Sequence, residues 1–202
     1  KGITKEHIPP RSFFPDGEKN QLLTVKSCAK HNNAKSKDDF YVLAQICMNA
    51  SPSNRARDVF MNKVAPQLNF NNGALRKLLA EGAVLLANGA VKYKIDVARL
   101  EDFFTALSCG IIYKSCGSSL PSNYSISHIF HNFQSGVNSQ IQCLEDAIDT
   151  FYEGKPLDFM EFGEPDTKNE KIYTVTIFGI PNFQSSITIV HRFFGAFKVT
   201  SM

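Results

Sequence analysis

Residues 6–36 read EHIPPRSFFPDGEKNQLLTVKSCAKHNNAKS, and the arrangement of this stretch decides how the first quarter of the chain folds. Its front is loop-rich. Pro9, Pro10 and Pro15 each lack a backbone N–H and fix φ, which excludes a helix, and Pro15-Asp16-Gly17 has turn chemistry. Leu22-Leu23-Thr24-Val25 is short and β-prone. From Asn33 the period changes: Phe40, Leu43, Ala44 and Cys47 recur at helical spacing, which predicts a helix over about 33–48. The expected order is an extended segment, a short strand and a helix. Set within that order are an adjacent acid and histidine, Glu6-His7, a lone Asn20, and His31-Asn32-Asn33 ahead of Lys35 and Lys37.

Ser51-Pro52-Ser53-Asn54 breaks the helix. Beyond it, 56–65 and 74–79 read as short helices, with Pro66 as a stop and 69–73 as a turn. Asn88-Gly89 between apolar runs in 84–95 is a hairpin signal. Asp96 is a good N-cap for the strongest helix of the chain, with Val97, Leu100, Phe103, Phe104, Leu107 and Ile111 on one face. A second stripe, from Val137 through Ile141, Leu144 and Ile148 to Phe151, predicts a helix at 137–152. Strand alternation is clearest at 171–179 and 185–200, and weaker at 125–130 and 157–162. The fold class is therefore α+β. Residues 1–50 form an N-terminal unit, and residues 51–202 are helices packed on an antiparallel sheet.

At 202 residues the chain suits one ordinary domain, or a small module joined to a medium one. Its 43% hydrophobic content and 11% aromatics describe a globular protein with material for a core. No apolar run approaches the roughly 18 residues of a membrane span, and no signal peptide is visible, so a membrane role is not expected. The chain opens on Lys1 rather than Met, which leaves room for residues upstream. Five scattered cysteines, Cys28, Cys47, Cys109, Cys116 and Cys143, form no disulfide framework, and a reducing cytoplasmic setting is the expectation. The formal charge is +3. Residues 1–40 hold eight Lys/Arg against five Asp/Glu, so the whole excess lies in the segment with the polar cluster.

Hydrolysing a phosphodiester needs a nucleophile and neutralisation of the scissile phosphate, which a divalent cation and a general base supply together. A hard cation takes oxygen ligands, and an imidazole titrates near neutral pH. Glu6-His7 suits this division if the pair lies on a strand, because neighbouring side chains there project to opposite faces.

Glu6-His7-Ile8-x-Pro10, then Asn20-Gln-Leu-Leu-Thr24, then Asn32-x-x-Lys35-Ser36, resembles the ββα-metal core of HNH endonucleases, and the chain resembles the small standalone bacterial members of that family. The resemblance covers about 31 residues. It implies Glu6 and Asn32 as ligands of one Mg²⁺ or Mn²⁺, His7 as the general base, Asn20 as the brace of the loop, and Arg11, Lys35 and Lys37 as phosphate contacts. The implied substrate is DNA, with RNA left open, and defence against phage DNA is a role that family analogy offers. Residues 51–202 would position substrate, mediate homodimerisation or sense a partner. A catalytically silent nucleic-acid-binding protein on the same fold is the alternative.

The pattern departs from many relatives at Cys28-x-x-His31, where they carry the second half of a zinc knuckle. Three alternatives stand for His31: structural zinc shared with Cys28 and an upstream Cys pair, no structural zinc, or ligation of the catalytic metal. Elsewhere bland assignments prevail. His128-x-x-His131 reads as a polar strand end, His191 as a satisfied or edge histidine, and Cys109 and Cys116 as core thiols. The Phe-rich C-terminal strands (Phe178, Phe183, Phe193, Phe194, Phe197) read first as core, with stacking on bases open to any exposed member.

Overall fold

The computed structural model describes residues 3–15, 17–18, 22–133, 139–151, 156–162, 171–179, 182–183 and 185–202; of 3, 28–37, 139–142, 145 and 149 it describes the backbone alone. Strand β1 (Ile3–Ile8) runs antiparallel to β2 (Leu23–Cys28), with Ile3 opposite Cys28 and Ile8 opposite Leu23. Helix α1 (Ala29–Asn49) follows without an intervening residue. The extended front of the chain is thus a regular strand. The helix begins four residues before its apolar period does, because its first turn is polar (Lys30, His31, Asn32) and leaves no mark on hydrophobic spacing.

After β1 the chain makes a single 3₁₀ turn, Arg11–Phe13, closed by the Phe13 N–H donating to the Pro10 carbonyl at 3.0 Å. The prolines exclude an α-helix here but not this turn, since Pro10 supplies only the acceptor. Its product is the burial of Phe13 and Phe14, at 0% and 1% exposure. Within α1, Tyr41 to Cys47 are all buried, as expected of a helix enclosed on every side.

Helix α2 (Asn54–Val59) is capped by Ser53, whose hydroxyl accepts from the Ala56 N–H at 3.1 Å. Its path continues through a π turn (Phe60–Val64) and a 3₁₀ turn (Ala65–Leu68). Pro66 therefore does not stop it, because it sits in the first turn of the 3₁₀ segment, where a missing N–H leaves no bond unmade. Helix α3 (Ala74–Leu79) leads to a hairpin of β3 (Val84–Leu85) and β4 (Val91–Lys92) around Asn88-Gly89. Helix α4 (Val97–Cys116) is capped by Asp96, whose carboxylate accepts from the Arg99 N–H at 3.3 Å and also binds the Arg99 guanidinium. It ends at Gly117, at φ +70°, whose N–H donates to the Tyr113 carbonyl.

The remaining elements are β5 (His128–Phe130), α5 (Ser139–Phe151), β6 (Asp158–Phe162), β7 (Tyr173–Phe178), β8 (Thr188–Phe193) and β9 (Phe197–Ser201). The five strands make one antiparallel sheet in the order β5-β9-β8-β7-β6, which makes the fold α+β. The single strand expected over 185–200 is two strands. The chain reverses at Phe194 (φ +52°) and Gly195 (φ +70°), with the Ala196 N–H donating to the Phe193 carbonyl at 3.0 Å. Three residues, 194–196, thus connect the paired Phe193 and Phe197. Burial of the Phe194 ring, at 0% exposure, offsets the roughly 1 kcal/mol that a left-handed backbone costs a non-glycine residue.

One continuous apolar cluster joins Ile8, Phe13, Phe14 and α1 to α4 and the sheet. Phe13 stacks on Phe103 at 5.4 Å between ring centroids and lies 5.5 Å from Phe193, while Phe14 meets Phe162 edge-on. Among the described residues no helix is long and apolar enough to cross a membrane.

Candidate active site

Glu6 and His7 are the fourth and fifth residues of β1, opposite Val25 and Thr24. Strand alternation puts Glu6 on the face it shares with Ile8 and Val25, and His7 on the other. The first face looks toward α4. A cavity of about 500 Å³ lies there, lined by Glu6, Lys26 and Ser27 of the hairpin and by Cys109 and Tyr113 of α4, among others. A carboxylate and an ammonium thus border one space with a hydroxyl and a phenol. His7 is half-buried, and its ring has no hydrogen-bond partner among the described residues.

What fixes the dipeptide is the residue after it. Ile8 is 3% exposed and packs directly on Gly110, where an added Cβ would fall 3.0 Å from Ile8 Cγ2 and 3.1 Å from its Cδ1. The helix approaches the strand this closely only because position 110 has no side chain. Glu18, between β1 and β2, makes an ion pair with Arg55 of α2. Arg99 joins Asp96 to Asp38 of α1, so α1 and α4 are also bridged by charge. These two carboxylates hold the guanidinium charged, raising its already high proton affinity.

The other expected site residues are placed less fully. Arg11 opens the 3₁₀ turn and is exposed. Asn32 and His31 fall in the first turn of α1, with Lys35 and Lys37 one turn on, and Cys28 ends β2; the side chains of all five lie outside the described residues. Asn20 lies outside them altogether. Among the described residues no three His, Cys, Asp or Glu side chains converge as a metal site. The wall that α4 lends to the Glu6 cavity was not legible in the sequence; a glycine in the middle of an apolar helix face was its one trace. Cys109, read as a core thiol, is exposed and lines that cavity.

A second polar constellation lies inside the sheet-helix interface. His191 of β8 is fully buried, with Nδ1 2.7 Å from the Tyr173 hydroxyl and Nε2 3.0 and 3.2 Å from the Ser108 and Ser201 hydroxyls. Ser201 Oγ lies 2.8 Å from His128 Nδ1, and His128 Nε2 lies 2.9 Å from Thr105 Oγ1. Every group is satisfied if Tyr173 donates to His191, His191 to the serines, Ser201 to His128 and His128 to Thr105. Burial, aided by His128, pushes the His191 imidazole down to about 3, and burial takes His128 to about 4 against a hydrogen bond to the Glu101 backbone. Both rings are neutral in the native state, and burial raises the Tyr173 phenol, which stays protonated. His131, in the turn after β5, binds the Thr200 hydroxyl at 2.9 Å. His191 stands in an interior strand of the sheet and is a satisfied histidine.

No protein family, curated protein or solved structure matches this chain.

Proposed function

We propose that the chain is an HNH-type endonuclease that hydrolyses DNA phosphodiester bonds with one divalent cation. The observation that carries this reading is the order β1–β2–α1, with β1 and β2 paired, Glu6-His7 on the first strand and Asn32 in the opening turn of the helix. Strand and helix run from the same end of the hairpin. Glu6 is the fourth residue of β1 and Asn32 the fourth of α1, each three residues from that end.

Glu6 and Asn32 offer oxygen donors, which is the ligand chemistry of Mg²⁺ or Mn²⁺; bound there, the cation would neutralise charge on the scissile phosphate. The chain's own residues do the rest. His7, on the face away from Glu6 and without a partner among the described residues, takes the proton from the attacking water. Its neighbour Ile8, pinned on Gly110, keeps the ring from drifting. Arg11, exposed at the exit of β1, and Lys35 and Lys37 on α1 hold flanking phosphates. The α4 wall and the sheet beyond it position the duplex, and a second copy of the chain would place a second centre on the opposite strand.

A supercoiled plasmid with Mg²⁺ or Mn²⁺ tests this directly. Wild-type protein should nick it, while His7→Ala and Glu6→Gln should lose at least about a hundredfold in rate. Equal cleavage by wild type and His7→Ala would sink the assignment of the base. Binding without cleavage under either metal would favour a silent nucleic-acid-binding protein on the same scaffold.

A further inference from the structure

Beyond the hairpin, a cavity of about 340 Å³ opens between the C-terminal end of α4, the segment after it, and the ends of β8 and β9. Its walls are of two kinds. Ile112, Ile126 and Ile189 give flat aliphatic surface, and the Tyr124 and Phe183 rings stand edge to face at one side, 6.2 Å apart. The Tyr124 hydroxyl is fixed by the Phe183 and Ser185 carbonyls, 2.9 and 2.8 Å away, so this aromatic wall is preformed. The polar part of the lining is Ser186 and Ser201, and the exposed amide of Asn123 and hydroxyl of Ser125, the last two without a hydrogen-bond partner among the described residues. Among the described residues no Lys, Arg, Asp or Glu lines the cavity.

We propose that this cavity binds a small uncharged ligand with a planar, hydrogen-bonding ring, and that a nucleoside is the chemical type it fits. The volume lies at the small end of ligand pockets, which limits the occupant to a ring and little more. Aliphatic and aromatic walls accept the faces of a heteroaromatic ring. Asn123 can donate and accept at once, the pairing an amide makes with a base edge, and Ser125 can meet a sugar hydroxyl. Among the described lining residues a phosphate would meet no cation to neutralise it, at a desolvation cost that these walls do not offset. The cavity also reaches the buried network, because Ser201, one of its lining residues, hydrogen-bonds both His128 and His191. An occupant is therefore reported by two histidine rings. The proposal does not depend on phosphodiester cleavage, since neither Glu6 nor His7 lines this space.

The test is titration with adenosine, guanosine, cytidine and thymidine to about 1 mM, and with their 5′-monophosphates. It is followed by the ring-proton NMR signals of His128 and His191 and by the thermal midpoint. At least one nucleoside should move both signals along a saturating curve and raise the midpoint, and its monophosphate should bind at least about tenfold more weakly. Ser125→Trp, at an exposed lining position, should abolish the shifts by filling the space. Asn123→Leu, similar in size, should weaken binding about tenfold through loss of its hydrogen bonds. No saturating nucleoside, equal affinity for the monophosphate, or undiminished binding to Ser125→Trp would each overturn the proposal. None of these readouts involves nuclease activity, so its failure and that of the nuclease reading are distinguishable.

Discussion

Acid should unfold this protein through His191. Its imidazole is at 0% exposure, and its proton affinity is pushed down to about 3 from the ordinary 6.5 by burial and by His128. The unfolded chain takes up a proton as pH falls through 6.5 while the native state refuses it until about 3, so lowering the pH favours unfolding across that window. Above 6.5 both states leave the ring neutral and the effect vanishes. Each pH unit inside the window is worth about 1.4 kcal/mol, so moving from 6.5 to about 4.5 removes roughly 2.5 kcal/mol through this one residue. Against a total of about 5–15 kcal/mol that is a large share. His128, taken to about 4, acts in the same direction over 6.5 to 4. The assay is urea unfolding of wild type and His191→Gln from about pH 7.5 to 4.5. The variant leaves the hydroxyls of Tyr173, Ser108 and Ser201 under-satisfied and starts less stable. Its stability should nevertheless fall less steeply, by about 1.4 kcal/mol per pH unit below 6. His128→Gln gives the same comparison from the half-buried end should the first variant prove too unstable. Parallel pH curves for wild type and both variants would refute the reasoning.

Gly110→Ala should destabilise the fold by about 1–2 kcal/mol, overpacking against Ile8 outweighing the gain in helix propensity. Its cost combined with Ile8→Val, which removes one of the crowded methyls, should be less than the sum of the two, as a double-mutant cycle in urea would show. Asp96→Ala removes the cap of α4 and one partner of Arg99, and should cost about 1–2 kcal/mol in the same assay. The Cys47 thiol is buried and pushed up to about 12, so it should resist an alkylating reagent in the native state while the exposed Cys109 and Cys143 react; mass spectrometry of peptides reads the difference. If DNA is the substrate, affinity measured by fluorescence anisotropy should fall with added salt, and Arg11→Ala should lower the slope of log affinity against log salt by about 1.

Elements with strong local signals were legible. Asp96 announced α4, Asn88-Gly89 its hairpin, and the apolar period of α1 its buried half. Where the chain departed from the reading, a local rule met a tertiary one. Phe193-Phe194-Gly195 looks like uninterrupted strand because aromatic residues favour strands, yet Gly195 permits a turn and the core holds Phe194 in a strained backbone. Pro66 reads as a stop, yet a 3₁₀ turn accommodates it. The Glu6-His7 dipeptide was conspicuous by composition, and its strand and register followed from the fold. What composition could not supply is distance in sequence: that Gly110 would meet Ile8, or that residues 105, 108, 128, 173, 191 and 201 would share one hydrogen-bonded chain.

Phe13 is an aromatic key turned into a lock made by α4 and β8, five residues downstream of Ile8. The strand that carries Glu6 and His7 therefore does not own its foundations. Cut from the rest, residues 1–50 would expose Ile8, Phe13, Phe14 and the enclosed half of α1 to water, and the hairpin would lose the wall that sets its register. The hairpin's packing rests on a helix bearing a gap opposite Ile8, and that dependence lets distant parts of the chain decide where two catalytic candidates point.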